Sequence, residues 1–210
     1  MKPPASPAEQ VVGYDDATLL FYAEQAQTYA ATARDGPSRL LEGFLKRLHP
    51  GARILELGCG DGRDSEAMLA LGFRVDPTDG VEAMARQAEA RLGRPVRVMR
   101  FDQLDDLGAY DGVWANASLL HVPGSALPDI LSRIFRALKP GGLHVGTYKA
   151  GDTDGRDDLD RYFNYPSAEA LEAAYRASAD WETLSIRRYA GGDYLGGQRP
   201  WLAVTARRPG

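Results

Sequence analysis

The spacing of apolar residues changes character along the chain, and each change marks an element. In DATLLFYAEQAQTYAATAR, residues 16–34, Leu19, Tyr22, Ala23, Ala26, Tyr29 and Ala30 follow helical spacing, which predicts an amphipathic helix. Ser38 can cap a second helix, RLLEGFLKRL, which His49-Pro50-Gly51 stops. ARILEL then reads as a short apolar strand. Residues 64–71 return to helical spacing and end at Gly72. FRVDPTD is a second strand, VEAMARQAEARL a helix ended by Gly93, PVRVMRF a third strand and YDGVWANAS a fourth. A helix over Leu127–Leu138 is stopped by Pro140-Gly141-Gly142, and LHVGTYK forms a fifth strand.

Strand and helix therefore alternate from residue 37 to 149, the rhythm of βαβ units and of a parallel sheet with helices on both faces. The tail breaks that rhythm. After the polar stretch GDTDGRDDLDR comes one helix, SAEALEAAYRA. Two strand-like runs follow, WETLSIRRY and PWLAVTARR, with a glycine-rich connector short enough for an antiparallel hairpin. The predicted fold class is α/β: a Rossmann-like, doubly wound, mostly parallel seven-stranded sheet with an antiparallel C-terminal hairpin and helices on both faces. With 210 residues and no repeat or linker, the chain reads as one domain. Residues 1–36 form an N-terminal arm and helix, 37–150 the ligand-binding core, and 151–210 a loop, helix and terminal hairpin.

Between the first strand and its helix stands ILELGCGDGRDS, residues 54–65, with glycines at 58, 60 and 62. Each ordered glycine costs roughly 0.5–1 kcal/mol relative to alanine, so three together mark a tight turn or a close approach. The phosphate-loop ending Gly-Lys-Ser/Thr is absent, and the dinucleotide pattern needs glycine at 63, where Arg63 stands. Glu56 would repel a pyrophosphate and suits an ammonium group. Asp79 closes the second strand, where an acid in a doubly wound sheet accepts hydrogen bonds from both ribose hydroxyls. Asp76 is the alternative, but it lies inside the strand with Pro77 after it. Asp102 ends the third strand and can hold an exocyclic amine. Acids at three strand ends describe an adenosine that carries a positive charge instead of phosphates.

ILELGCGDGRDS, DPTDGVEAMARQA, FDQLDDLGAYDGVWANASLLHVP and ALKPGGLHVGTYK, in that order, resemble the motifs of class I S-adenosylmethionine-dependent methyltransferases over roughly residues 38–150. The likeness is nearest to the small-molecule branch, including tellurite-resistance-type and related bacterial enzymes. It implies S-adenosyl-L-methionine as cofactor, S-adenosyl-L-homocysteine as product and a small-molecule methyl acceptor. By the same resemblance Gly58 and Gly60, with the inert thiol of Cys59 between them, pass under the methionine part. Asp79 holds the ribose, Gly80 and Met84 flank the adenine, and Asp102 meets its amine. The backbone around Asn116 and Ala117 lines the methionyl ammonium. Pro77 departs from the glycine or small residue usual in the family, and leaves the register of the second strand open. Tyr22 and Tyr29 are either packing residues or cofactor contacts on a helix that folds over the site as a lid. His121 lies close to where the methyl group should point, as a general base or as part of the pocket wall.

Composition narrows the acceptor. The chain carries 25 Lys+Arg against 29 Asp+Glu, a net charge of -4, and lacks the basic face that nucleic acid demands. Amino-methylating nucleic-acid enzymes carry Asn/Asp-Pro-Pro-aromatic after the fourth strand, where this chain reads NASLL. Cytosine-carbon enzymes need a Pro-Cys nucleophile, and the only cysteine is Cys59. One cysteine and three histidines make no disulfide and no metal spacing. MKPPASPAEQ lacks an apolar signal core, and no run approaches the roughly 20 apolar residues of a membrane span, so a cytoplasmic protein is expected. Tyr148, Arg161 and Tyr162, with Lys149, Arg156 and Phe163 nearby, suit a small anionic or aromatic acceptor. Two alternatives stand beside the methyltransferase: a non-catalytic S-adenosylmethionine-binding regulatory protein on the same fold, and an NAD-dependent oxidoreductase. Monomer and homodimer are both allowed.

Overall fold

The computed structural model describes residues 13–31, 36–192 and 197–210. The N-terminal arm, the end of the first predicted helix and the tip of the glycine-rich connector lie outside the described residues. The chain enters through α1 (Asp16–Ala31) and the short α2 (Leu41–Leu45). It then alternates through β1 (Arg53–Leu57), α3 (Arg63–Ala70), β2 (Arg74–Asp79), α4 (Glu82–Leu92) and β3 (Arg97–Val98). β4 (Tyr110–Ala115), α5 (Leu127–Ala137) and β5 (Leu138–Lys149) complete the alternation. A small ribbon, β6 (Gly155–Arg156) with β7 (Tyr162–Phe163), precedes α6 (Ala168–Ser178) and the hairpin β8 (Thr183–Gly192) and β9 (Gln198–Arg207).

Seven strands pair in the order β3-β2-β1-β4-β5-β9-β8. β1 to β5 run parallel, and β9 runs antiparallel to both β5 and β8. The order reverses between β1 and β4, the switch point where such sheets bind ligands at their carboxyl edge. The predicted fold class is the observed one. The central strands are apolar because both faces are covered: Ile54, Leu55, Leu57, Val113 and Trp114 are fully buried. One core joins Leu55 and Val113 to α5, whose Leu127, Ile130, Leu131 and Ile134 share one face. The other joins Ile54 and Trp114 to Phe44 and Met68. No described helix is long and apolar enough to cross a membrane.

Several elements differ from their sequence reading, each for a local reason. The second helix keeps five residues, and Arg47 and Leu48 then bond back to Phe44 and Leu45, a tighter turn ahead of Pro50. The third strand shrinks to Arg97 and Val98, which pair only with Thr78 and Asp79. Pro77 is thereby accommodated: it partners Glu56 on the β1 side, and β3 begins only opposite Thr78, one residue past it. Within the stretch read as a polar loop, Gly155 and Arg156 pair with Phe163 and Tyr162. Strands of two residues have no periodicity to detect.

His144 on β5 illustrates the polar content of the core. Its Nδ1 donates to the Val113 carbonyl at 3.1 Å, and Nε2 accepts from the Tyr175 hydroxyl at 2.9 Å. Burial, partly opposed by that carbonyl, pushes its pKa down to about 4. The unfolded chain therefore binds the extra proton first as pH falls. Stability is expected to be intact above pH 6.5 and to drop by about 3 kcal/mol from this group between pH 6.5 and 4. Urea unfolding across that range, compared with His144→Gln, reads the share as a difference in slope.

Candidate active site

The turn from β1 into α3 is built on three left-handed glycines: Gly58, Gly60 and Gly62 have φ of 71°, 59° and 83°. A side chain is strained in that region, and at position 58 it would also collide. A Cβ on Gly58 would stand 2.6 Å from the Ser118 Cβ, which is fixed because Ser118 Oγ donates to the Leu57 carbonyl at 2.7 Å. Gly58→Ala is expected to cost about 2–5 kcal/mol of folding stability, the sum of left-handed strain and overpacking. Denaturant unfolding checks this; Gly108→Ala, also left-handed but with open space around it, should lose only the strain part.

Asp79 ties the loop to the end of β2. Its two carboxylate oxygens accept from the backbone N–H of Gly60 at 3.0 Å and of Val81 at 2.9 Å. Burial raises its pKa to about 6, against the pull of those two amides. Asp76 forms an ion pair with Arg53 at 2.6 Å instead. Glu56 is also buried, and burial followed by the Asp64 charge holds its carboxyl well above the usual range. The Ser65 hydroxyl donates to it. Asp64, raised mainly by burial, accepts from the Ser38 N–H at 2.6 Å and the Trp114 indole at 2.8 Å. A cation placed beside these acids would relieve their desolvation.

Two adjoining cavities, of about 100 and 560 Å³, open at this edge of the sheet. Tyr22, Tyr29, Gly58, Gly60, Ala117 and His121 line both. The smaller continues between Asp79, Gly80 and Met84 on one side and Arg100 and Phe101 on the other. The larger runs past Glu56, Cys59 and Asn116 to Lys149, Arg161 and Phe163. Ala117, at φ 53°, donates its N–H to Thr147 Oγ1 at 2.7 Å, and Thr147 in turn donates to Asn116 Oδ1 at 2.9 Å.

Three expected site residues do not enter. Asp102 lines neither cavity; its carboxylate accepts from Arg100 Nε at 3.1 Å, and the neighbours Arg100 and Phe101 line the wall instead. Tyr148 is a correction. It is fully buried on the opposite face of β5 from Lys149, with its hydroxyl 3.2 Å from that of Tyr175. Strand side chains alternate, so when Lys149 faces the cavity its neighbour faces the core. The Tyr162 side chain also lies elsewhere, donating to Asp154 at 2.8 Å. Its backbone matters more: the N–H donates to Thr18 Oγ1 at 2.8 Å and the carbonyl lies 2.6 Å from His121 Nδ1. Missed entirely were Tyr189 and Trp201, which the terminal hairpin brings to the larger cavity, and Arg39, which reaches it from the segment before α2.

His121 sits at the junction. Nδ1 carries the proton given to the Tyr162 carbonyl, so Nε2 is the acceptor for the Tyr22 hydroxyl at 3.1 Å. Arg161 Nη1 donates to the same phenol oxygen at 3.2 Å and pairs through Nη2 with Asp157 at 2.6 Å. Burial first, then the charges of Arg161 and Lys149, bring the imidazole to about 4, so it is neutral at pH 7. The arrangement is an uncharged base, fixed in one tautomer, bonded to a phenol that faces both cavities.

Residues 22–185 match the family described as Methyltransferase domain, and the chain belongs to that family. It is 32% identical over 114 residues to trans-aconitate 2-methyltransferase of Deinococcus radiodurans, covering 53% of this chain and 43% of that protein. It is 37% identical over 100 residues to ubiquinone biosynthesis O-methyltransferase of Xanthomonas campestris pv. campestris, covering 44% and 41%. The chain thus spans less than half the length of these two relatives. Among solved structures, the 1,6-didemethyltoxoflavin-N1-methyltransferase of Burkholderia thailandensis, determined with 1,6-didemethyltoxoflavin and S-adenosylhomocysteine, aligns over 100% of this chain and 93% of its own. The TM-score is 0.71 at 23% identity, a likeness of fold.

Proposed function

We propose that the protein is an S-adenosylmethionine-dependent methyltransferase acting on a small-molecule acceptor. The observation that carries this reading is Asp79, a buried carboxylate hydrogen-bonded to the glycine loop and facing the smaller cavity. The residues present fit the cofactor. Asp79 keeps lone pairs for ribose hydroxyls, Gly80, Met84 and Phe101 form a slot for a base, and Glu56 and Asp64 favour a cationic amino-acid end. The same acids would repel a pyrophosphate, which disfavours a nicotinamide dinucleotide. When bound, S-adenosylmethionine supplies an electrophilic methyl group, which the acceptor's nucleophile takes while the C–S electron pair stays on sulfur.

The chain's own residues position, cover and deprotonate. Tyr22 and Tyr29 reach over both cavities from α1, and two contacts with the ribbon hold that helix: Arg156 with Asp15 at 2.6 Å, and Tyr162 N–H with Thr18. The Tyr22 hydroxyl can pass its proton to His121 Nε2 while accepting one from the substrate. The acceptors named for relatives, trans-aconitate and 1,6-didemethyltoxoflavin, are small molecules, in keeping with the cavity.

Calorimetry and thermal unfolding test the assignment. Ligand at 100 times its dissociation constant should stabilise the fold by about 2.7 kcal/mol. No heat and no shift with millimolar S-adenosylhomocysteine would sink it, and a shift with NAD alone would favour an oxidoreductase. Removing residues 1–34 is expected to leave a soluble fold that retains the cofactor poorly. Unchanged affinity in the truncated protein would reduce Tyr22 and Tyr29 to packing residues.

A further inference from the structure

His121 stands on a single tight turn, Leu119–His121, between β4 and α5. Such a turn has few bonds of its own. The Ser118 carbonyl accepts from the His121 N–H at 3.1 Å, and the Leu119 carbonyl from the Val122 N–H at 3.1 Å. The start of the turn is pinned to β1, where the Ser118 hydroxyl donates to the Leu57 carbonyl. Asn164, just past β7, pins the other side. Its backbone N–H donates to the Leu120 carbonyl at 2.8 Å. Its side-chain Nδ2 donates to the carbonyls of Leu119 at 3.0 Å and Val122 at 3.1 Å. Carbonyls only accept, so the amide nitrogen must face the turn and the amide oxygen must face away. That oxygen is buried and has no partner among the described residues. An unpaired buried oxygen costs stability, and an apolar side chain would avoid the cost. The amide is therefore placed for its two N–H groups.

The neighbours of Asn164 complete the fixture. The Tyr162 carbonyl takes the Nδ1 proton of His121, and the Tyr162 N–H donates to Thr18 on α1. Phe163 packs its ring 4.5 Å from the imidazole. Residues 162–164 thus touch the imidazole, the turn that carries it and the helix that covers it. We propose that Asn164 is a positioning residue for proton transfer: by holding residues 119–122 against the end of β7, it keeps the Nδ1 proton of His121 on the Tyr162 carbonyl and the Nε2 lone pair on the Tyr22 phenol. This rests on the methyltransferase reading, in which that lone pair receives the acceptor's proton through Tyr22. A base acts only within hydrogen-bond reach of the proton it takes, and a displacement of about 1 Å can cost about 10²-fold in rate. Without the amide, the Val122 carbonyl loses its donor and the turn parts from Asn164. The imidazole is then free to carry its proton on either nitrogen.

Nitrogen NMR of the imidazoles at neutral pH is the test, and it is readable because the chain has three histidines. In the parent, His121 should show one tautomer, protonated at Nδ1. Asn164→Asp keeps the shape and removes both donors, and Asn164→Leu also removes the unpaired oxygen. In each variant the two ring signals of His121 should move toward each other as both tautomers fill. His144, bonded to the Val113 carbonyl far from this turn in sequence, should keep its signals and so reports an intact core. An unchanged His121 in Asn164→Leu would overturn the proposal, and so would equal disturbance of His144, the mark of general loosening. A further measurement needs no variant. In the parent, the Asn164 side-chain N–H2 should exchange with deuterium at least about tenfold slower than that of Asn116, and equal rates would overturn the proposal. Titration of the parent with S-adenosylhomocysteine judges the other reading. No binding there, while His121 still responds to Asn164, would sink the methyltransferase assignment and leave Asn164 as the residue that holds the turn.

Discussion

Asp79→Ala is expected to weaken S-adenosylmethionine binding by about tenfold or more while the protein stays folded. A hydrogen bond to a charged group contributes roughly 1.5–3 kcal/mol, and about 1.4 kcal/mol is a factor of ten. The effect exceeds one lost ligand contact, because the Gly60 and Val81 N–H groups lose their acceptor and the glycine loop loses its tie to β2. Asp76→Ala, on the same strand but paired with Arg53, should change affinity little. The pH dependence follows from the raised pKa. The ligand favours the ionised carboxylate, so affinity should be flat above about pH 6 and fall below it, up to tenfold per pH unit. Calorimetry from pH 5 to 8 measures both features. A larger effect at Asp76 than at Asp79 would refute the assignment of the ribose-binding acid.

His121→Gln should slow single-turnover methyl transfer roughly 10²–10⁴-fold for an acceptor whose nucleophile carries a proton at neutral pH. An acceptor already ionised at that atom should be methylated nearly as fast as by the parent. The groups around the imidazole are Tyr22, the Tyr162 carbonyl, and the charges of Arg161, Lys149 and Asp157. Burial and the two cations hold it near 4, so the acidic limb of the rate should centre near pH 4 rather than 6.5, and should vanish in the variant. Tyr22→Phe should lose most of the same rate and leave the limb in place, since the imidazole remains. A small rate change with a raised Michaelis constant for the acceptor would assign His121 to the pocket wall.

The strands and helices of the alternating region were legible because their cause is local. A strand buried on both faces is largely apolar, as in Ile54, Leu55 and Leu57 around the one acid Glu56, and a helix with one buried face must repeat near 3.6, as in α5. The glycine turn was legible for the same reason: left-handed backbone at 58, 60 and 62 restricts residue type at those positions alone. Asp79 was legible from its distance to that turn, because a βαβ unit sets where the second strand ends.

The larger cavity was decided by tertiary structure. Trp201 and Tyr189 meet Lys149 only because β9 inserts between β5 and β8 in one register, and a shift by one residue would turn each of them to the other face. Tyr148 and Lys149 were both read as pocket candidates, and alternation along β5 turns the first to the core and the second to the cavity. His121 gains its tautomer from Tyr162, 41 positions away, and its depressed pKa from burial that no local pattern records. Sequence alone determined the fold class and the cofactor-side turn, where short-range sterics and periodicity act. Only the folded chain determined the larger cavity, because its groups come from separate segments and their chemistry is set by desolvation and mutual distance.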